Sequence, residues 1–263
     1  MSDTELEILP VREPDDYKKD RKKYHPNLPK ITDHNGSIIL LVAPVKSGKS
    51  TIISNLLLSK HFWGGKQSAF DGGVHIFSPT IHLDTTSRFL RDAYDVYTEY
   101  DDEILENILD TQKSYEKKNM PKIMMVFDDM SGMLGSRNSN INHFLTRHRH
   151  YNCNCMLSIQ NFRNLSNVAR SNSSYVLLLN GIVNDKEFEK LQDEYDGIYK
   201  GTLKYMYKKY TKKPYSFLYL DLRSNPARMF QNFTKELNWK KEIKNAKQMK
   251  NYDEMDMDEG EEY

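Results

Sequence analysis

Ile38-Ile39-Leu40-Leu41-Val42-Ala43-Pro44-Val45-Lys46-Ser47-Gly48-Lys49-Ser50-Thr51-Ile52-Ile53-Ser54-Asn55-Leu56-Leu57-Leu58 decides how the rest of the chain is read. It opens with a short apolar, β-branched run, as expected of a strand buried on both faces. It closes with a run from Thr51 to Leu58 that reads as a buried helix. Between them, Ala43 to Ser50 matches the phosphate-binding loop pattern except at its first position, where Ala43 stands for Gly. Such a loop wraps its backbone N–H groups around an anion, and the dipole of the following helix adds to the attraction. Ala43, Pro44, Val45, Lys46, Ser47 and Gly48 would form the cradle, with Gly48 allowing close backbone approach. Lys49 should reach the β- and γ-phosphates, and the Ser50 hydroxyl should ligate Mg²⁺, with Thr51 beside it as the lesser candidate. ATP with Mg²⁺ is therefore the expected ligand. Ala43 is small enough for the end of a strand unless a positive φ is needed there.

Strands and helices alternate outward from this unit. Val74 to Phe77, Ile123 to Phe127, Cys153 to Ile159, Tyr175 to Leu179 and Phe217 to Leu220 read as strands. Arg88 to Tyr94, Glu103 to Lys117, Ile141 to His148 and Asp185 to Tyr195 read as helices. The alternation predicts an α/β fold, a P-loop NTPase core whose central, mostly parallel sheet is covered by helices on both faces. The expected organisation is a flexible N-terminal arm over 1–35, the ATPase domain over 36–223, a basic helical segment over 224–250 and a disordered acidic tail over 251–263.

A phosphate loop needs an acidic partner. The strand Ile123 to Phe127 runs into Asp128-Asp129, which places both carboxylates at a strand's carboxyl end, where open α/β sheets bind ligands. Asp128 is expected in the Mg²⁺ shell, through water, and Asp129 as the general base for the attacking water. The competing reading is a pair of acids that cap a strand and begin the turn at Ser131-Gly132. The extra strand at Val74 to Phe77 resembles the motor-like P-loop proteins rather than simple nucleotide kinases. Gln160, at the end of the strand Cys153 to Ile159, could sense the γ-phosphate or orient water; otherwise it bonds loop backbone. Arg147 and Arg149 could reach into a neighbour's site in a ring, where an arginine finger contributes roughly 10³–10⁵ in rate. Otherwise they complement a helix end. Arg163 and Arg170 are weaker candidates for that role, and His148 and His150 read as surface residues.

Bulk properties narrow the class. With 38% hydrophobic and 29% charged residues among 263, a soluble globular protein is expected. No apolar run approaches the ~18 residues of a membrane span, and Met1 to Glu5 lacks the features of a signal peptide. Cys153 and Cys155, two apart on one strand, suit reduced packing residues rather than a disulfide or zinc set. The net charge of +1 conceals an acidic end, so the body is basic and compatible with a polyanion partner. Lys204 to Lys213 and Lys240 to Lys250 are the stretches that could contact it, or they form a solvated basic face.

Taken together, Ala43 to Thr51, Phe127-Asp128-Asp129-Met130-Ser131, Arg149-His150-Tyr151-Asn152 and Ser158-Ile159-Gln160 resemble the genome-packaging ATPases of large double-stranded DNA viruses and virophages, within the FtsK/HerA superfamily of P-loop motors. The resemblance runs from about Ser37 to Asn180, with the late strand near Phe217. It implies a ring-forming translocase that couples ATP hydrolysis to movement of duplex DNA into a preformed capsid. Its partners would be double-stranded DNA, further copies of itself and capsid or other virion components. It would act in the host cytoplasm at sites of virus assembly, or in the virion. The resemblance also implies Asp129 as catalytic acid, Gln160 as sensor, and Arg147 or Arg149 as the finger acting in trans. Asp129 stands where the cellular relatives commonly have Glu. Two other readings are a nucleotide-gated scaffold with little hydrolysis and a cellular-type DNA-pumping ATPase.

Overall fold

The computed structural model describes residues 25–31, 36–64, 68–135 and 139–248. In chain order its elements are β1 (Ile38–Val42), α1 (Lys49–Leu58), β2 (Val74–Phe77), α2 (Arg88–Ala93), β3 (Asp95–Tyr97), α3 (Asp102–Lys113), β4 (Ile123–Asp128), α4 (Ser131–Gly135), α5 (Asn140–Arg147), β5 (Cys153–Ile159), α6 (Asn167–Asn172), β6 (Tyr175–Leu179), α7 (Asp185–Tyr199), α8 (Leu203–Tyr210), β7 (Phe217–Asp221), β8 (Arg228–Gln231) and β9 (Lys235–Glu236). The strands form one sheet in the order β3-β2-β4-β5-β1-β6-β7-β8-β9. The pairings from β3 across to β6 are parallel. The three from β6 across to β9 are antiparallel.

Strand periodicity sorts the core into two layers, because successive side chains point to opposite faces. Ile38, Leu40 and Val42 of β1 belong to the layer covered by α3 and α5 to α8. Ile39, Leu41 and Ala43 belong to the layer under α1. In β4, Met124 and Val126 face α1, while Ile123, Met125 and Phe127 face away. Asp128, next in the even series, therefore points toward the face on which α1 lies. Ser78 follows the even pair Val74 and Ile76 of β2, and Ser158 follows Met156 of β5, so both share that face.

The C-terminal expectation needs correction. Of the segment read as basic and helical over 224–250, the first half holds no helix; it carries the short strands β8 and β9, which extend the sheet. Met229 and Phe230 are buried on opposite faces, as in a strand, and β8 pairs with β7. Helix begins only after Trp239–Glu242, at 243–248. Four short elements, β3, α4, α6 and α8, have no counterpart in the sequence reading. The basic stretch Lys204 to Lys213 is largely α8, which buries Leu203, Met206 and Tyr207 and turns its lysines outward. At the other end, Leu28 and Ile31 are buried in the layer under α1, so part of the expected arm is docked on the domain. The basic run Lys18 to Lys23 and the acidic tail lie outside the described residues.

Phe77 fixes β2 beside β4. Its ring stacks on Phe127 at 5.3 Å and on Tyr97 at 4.8 Å between centroids, and it is fully buried. Truncation should cost about 3–5 kcal/mol. Urea denaturation of Phe77→Ala should show a midpoint lowered to match, with an unchanged slope.

Candidate nucleotide site

Six parallel strands end at one edge of the sheet, and the phosphate loop leaves β1 at that edge. Ala43 stays in register, its N–H donating to the Ile159 carbonyl at 3.0 Å. Its φ is not among the positive ones, which explains why Ala replaces Gly there; Lys46 (φ 63°) and Gly48 (φ 98°) take the left-handed positions. The Ser47 hydroxyl donates to the Pro44 carbonyl at 2.7 Å and tightens the turn. Gly48 caps α1 without a side chain, and the first turn of α1 holds no acid. The N-terminal N–H groups of α1 are thus available to an anion. A cavity of about 340 Å³ lies against this loop. Its walls include Pro44, Val45, Lys46, Gly48, Lys49, Ser50 and Thr51 from the loop and Asp128, Asp129 and Gln160 from β4 and β5. All the loop residues and acids named from the sequence line it except Ala43, which is buried at the end of β1, and Ser47, which is half-buried with its hydroxyl turned back onto Pro44.

Asp129 is the point of convergence. Lys49 Nζ pairs with its Oδ1, Gln160 Nε2 donates to the same oxygen at 3.1 Å, and Thr80 Oγ1 donates to Oδ2 at 3.5 Å. Its backbone, at φ 54°, turns the chain out of the strand immediately after Asp128, while its N–H still donates to the Ser158 carbonyl at 3.1 Å. A left-handed Asp is uncommon but tolerated, and here it aims the carboxylate at the loop.

Asp128 is more enclosed. Ser78 Oγ donates to its Oδ2 at 3.1 Å, while Oδ1 is buried without a hydrogen-bond partner. Ser158, its register partner on β5, lies close enough to hold the carboxyl's pKa down but makes no hydrogen bond of good geometry. Burial is the main influence and pushes the pKa above the usual carboxylate value; Asp129 adds to this, and Lys49 and the two serines oppose it. A buried acceptor with an unused oxygen, lining the same cavity as Ser50, is a hard-oxygen donor set suited to Mg²⁺ held partly through water.

The sequence reading missed Ser78, Thr80, Asp84 and Tyr215 as site residues. Ser78 and Thr80 could have been found, since Ser78-Pro79-Thr80 directly follows β2 at the ligand-binding edge. Asp84 accepts from the Thr86 N–H at 2.9 Å and from Ser87 Oγ at 3.0 Å, and lies near Ser50. Nothing in the sequence marks Tyr215.

The arginines lie elsewhere. Arg147 and Arg149 are exposed and precede β5, at the edge opposite Gln160. With about 3.3 Å per residue along β5, they lie roughly 20 Å from their own chain's site. Arg170 is buried and committed to Glu194 at 2.9 Å and to the Leu165 carbonyl, so it is not available as a finger. Arg163 is exposed on the turn after Gln160. His148 corrects an expectation. It is buried, with its ring nitrogens 2.8 Å from the Leu145 carbonyl and 3.2 Å from that of Gly36. It ends α5 and locks the entry to β1 against the entry to β5. Cys153 and Cys155 are buried, unoxidised packing residues.

The buried charge of Asp128 has a consequence for stability. A carboxyl with a raised folded pKa binds its proton more tightly folded than unfolded, so ionising it destabilises the fold as pH rises through that range. Asp128→Asn should therefore raise the thermal midpoint of the metal-free protein at neutral pH. The gain should shrink as the pH falls toward the ordinary carboxylate value, as scanning calorimetry across a pH series would show.

Residues 93–206 match the family model described as Poxvirus A32 protein. That segment contains Asp128, Asp129, Arg147, Arg149 and Gln160 and begins after the phosphate loop. No curated protein matches the chain. Among solved structures, the chain is similar to the DNA-packaging ATPase of Sulfolobus turreted icosahedral virus, with 16% identity and a TM-score of 0.53 over 74% of this chain and 97% of that one. The genome-packaging NTPase of Sulfolobus turreted icosahedral virus 2, in complex with ATPγS, aligns at 18% identity and TM-score 0.52 over 75% and 98%. The conjugation coupling protein TcpA of pCW3 aligns at 14% identity and TM-score 0.52, over 76% of this chain and 61% of that one. The chain thus has the P-loop fold of the viral genome-packaging ATPases, and its central segment matches the poxvirus A32 protein family.

Proposed function

We propose that this chain is an ATPase that packages a viral genome, driving double-stranded DNA into a preformed capsid in the host cytoplasm, as part of a homo-oligomeric ring. The observation that carries the reading is the convergence of Lys49, Gln160 and Thr80 on Asp129 at the mouth of the phosphate loop. The matches to packaging ATPases support the choice of substrate and partner.

The chain's own groups suit hydrolysis. The N–H groups of the loop and of the first turn of α1 would hold the β- and γ-phosphates. Ser50 and Asp128 would hold Mg²⁺, which when bound neutralises charge on the phosphate oxygens. An arriving γ-phosphate competes for Lys49 and draws it from Asp129. The freed carboxylate then accepts a proton from water as the water oxygen bonds to the γ-phosphorus. The bond from that phosphorus to the β-bridging oxygen breaks, releasing ADP and phosphate. Gln160 keeps Asp129 oriented, or turns its amide to the γ-phosphate once Lys49 has moved.

The position of Arg147 and Arg149 favours the ring. At the opposite edge from their own site they are exposed, and a neighbour's site is the one they could complete. DNA would be held through phosphates by exposed lysines such as Lys212, Lys213, Lys240 and Lys241. Lys204 and Lys209 are partly engaged with Asp185 and Glu242.

Steady-state assays test the reading. Duplex DNA should stimulate ATP hydrolysis, the stimulation should weaken with salt, and Lys49→Ala should abolish it. Asp129→Asn should lower kcat by about 10²–10⁴ with little change in KM. Lys49→Ala subunits mixed with Arg147→Ala/Arg149→Ala subunits should regain turnover that neither shows alone. DNA-independent rates in the wild type would argue against the translocase, and no recovery on mixing would remove the arginines from the site.

A further inference from the structure

Tyr215 stands in a position that a tyrosine does not choose for its own comfort. Lys213-Pro214-Tyr215-Ser216 forms a tight turn before β7, closed by the Ser216 N–H donating to the Lys213 carbonyl at 3.2 Å. Pro214 occupies the second position, and Tyr215, at φ 61°, the third. A positive φ at the third position is the mark of a type II turn, which ordinarily places Gly or Asn there. A bulky aromatic residue in that region is strained. The ring gains no burial in return, being 66% exposed.

The surroundings hold the ring in a fixed place. The Asn180 N–H, at the end of β6, donates to the Ser216 carbonyl at 2.9 Å, and its side-chain amide donates to the Thr211 carbonyl. The Asn232 side chain accepts from the Phe217 N–H at 3.0 Å. Because β7 runs antiparallel to β6, its first residues lie at the same edge of the sheet as the phosphate loop. Tyr215 accordingly lines the nucleotide cavity, its ring over Gly48: a Cβ on that glycine would lie 3.0 Å from Cδ1 of the ring. The turn after β6 also abuts the loop, since a Cβ on Gly181 would lie 3.4 Å from Cγ of Pro44.

The order of strands gives the bound nucleotide a direction. Asp128, Asp129 and Gln160, the groups suited to the γ-phosphate, come from β4 and β5, on one side of β1. Tyr215 precedes β7, two strands to the other side. A triphosphate laid across the loop with its γ end at Asp129 points its nucleoside toward Tyr215.

We infer that Tyr215 is the nucleoside-side wall of the site, a preplaced aromatic face on which the base of a nucleoside triphosphate stacks. The inference rests on the nucleotide-site reading above and adds to it the group that distinguishes a nucleotide from a bare polyphosphate. Stacking on a flat ring does not read base edges, so it favours a nucleobase without selecting among them.

Calorimetric titration of the full chain with Mg·ATP and with Mg·tripolyphosphate tests it, using Tyr215→Gly, Tyr215→Phe and Lys49→Ala beside the wild type. Tyr215→Gly should weaken ATP binding by about tenfold or more and leave tripolyphosphate binding unchanged. Its thermal midpoint should equal or exceed that of the wild type, because glycine relieves the turn. Tyr215→Phe should retain ATP affinity, and Lys49→Ala should lose both ligands. Equal loss of both ligands in Tyr215→Gly would overturn the inference in favour of packing on the phosphate loop. Unchanged ATP affinity in that variant would overturn it outright. Wild-type protein that binds neither ligand would instead overturn the nucleotide site itself, and the stacking role with it.

Discussion

The backbone ladder joining β4, β5 and β1 is the constraint on which the site depends. Asp128 pairs in register with Ser158, and Val42 with Ile159. A parallel ladder advances all three strands to the same edge, and the two-residue period decides which face each terminal side chain takes. A slip of one residue in β4 would turn Asp128 away from α1 and bring the apolar Phe127 to the loop. The interiors of these strands, buried on both faces and apolar but for Asn154 and Ser158 of β5, pin that register.

Against this rigid frame the polar groups are arranged with little slack. Asp129 receives Lys49, Gln160 and Thr80, and Asp128 receives Ser78 while one oxygen has no partner. The two carboxylates are neighbours in sequence but not in environment. Asp129 is partly open and its charge is met by a lysine. Asp128 is enclosed, and its ionisation is opposed by burial. Two acids with environments so different suit different tasks, one holding a cation and the other handling a proton.

Much of this was legible in the residues. Strand, loop and helix around Gly48 fixed the phosphate cradle, and an apolar strand ending in two acids located the carboxylates, because both signals are local. The ends of β2, β5 and β6 were legible for the same reason: continuous apolar runs stop where the chain leaves the core. The failures share a cause as well. His148 was read as a surface residue because it sits between two exposed arginines, yet its burial is decided by Gly36, a residue distant in sequence. β8 and β9 carry Arg228, Lys235 and Glu236 within a stretch that reads as basic helix, and only pairing outward from β7 makes them strand. Tyr215 is invisible in sequence because its place depends on β7 running antiparallel to β6, a matter of topology and not of local pattern.

β5 carries Gln160 at one end and receives the chain from Arg149 at the other, and every one of its residues is buried. It is hydrogen-bonded along both sides, by β1 and β4, so it cannot shorten or bend without breaking two ladders. In the proposed ring, each subunit would therefore place a stiff strut between the γ-phosphate it senses and the γ-phosphate of the next subunit that it helps to cleave. A displacement imposed at one end would arrive at the other nearly undiminished. Successive firing around the circle would then be a mechanical property of a single strand, requiring no loop to fold or melt between one site and the next.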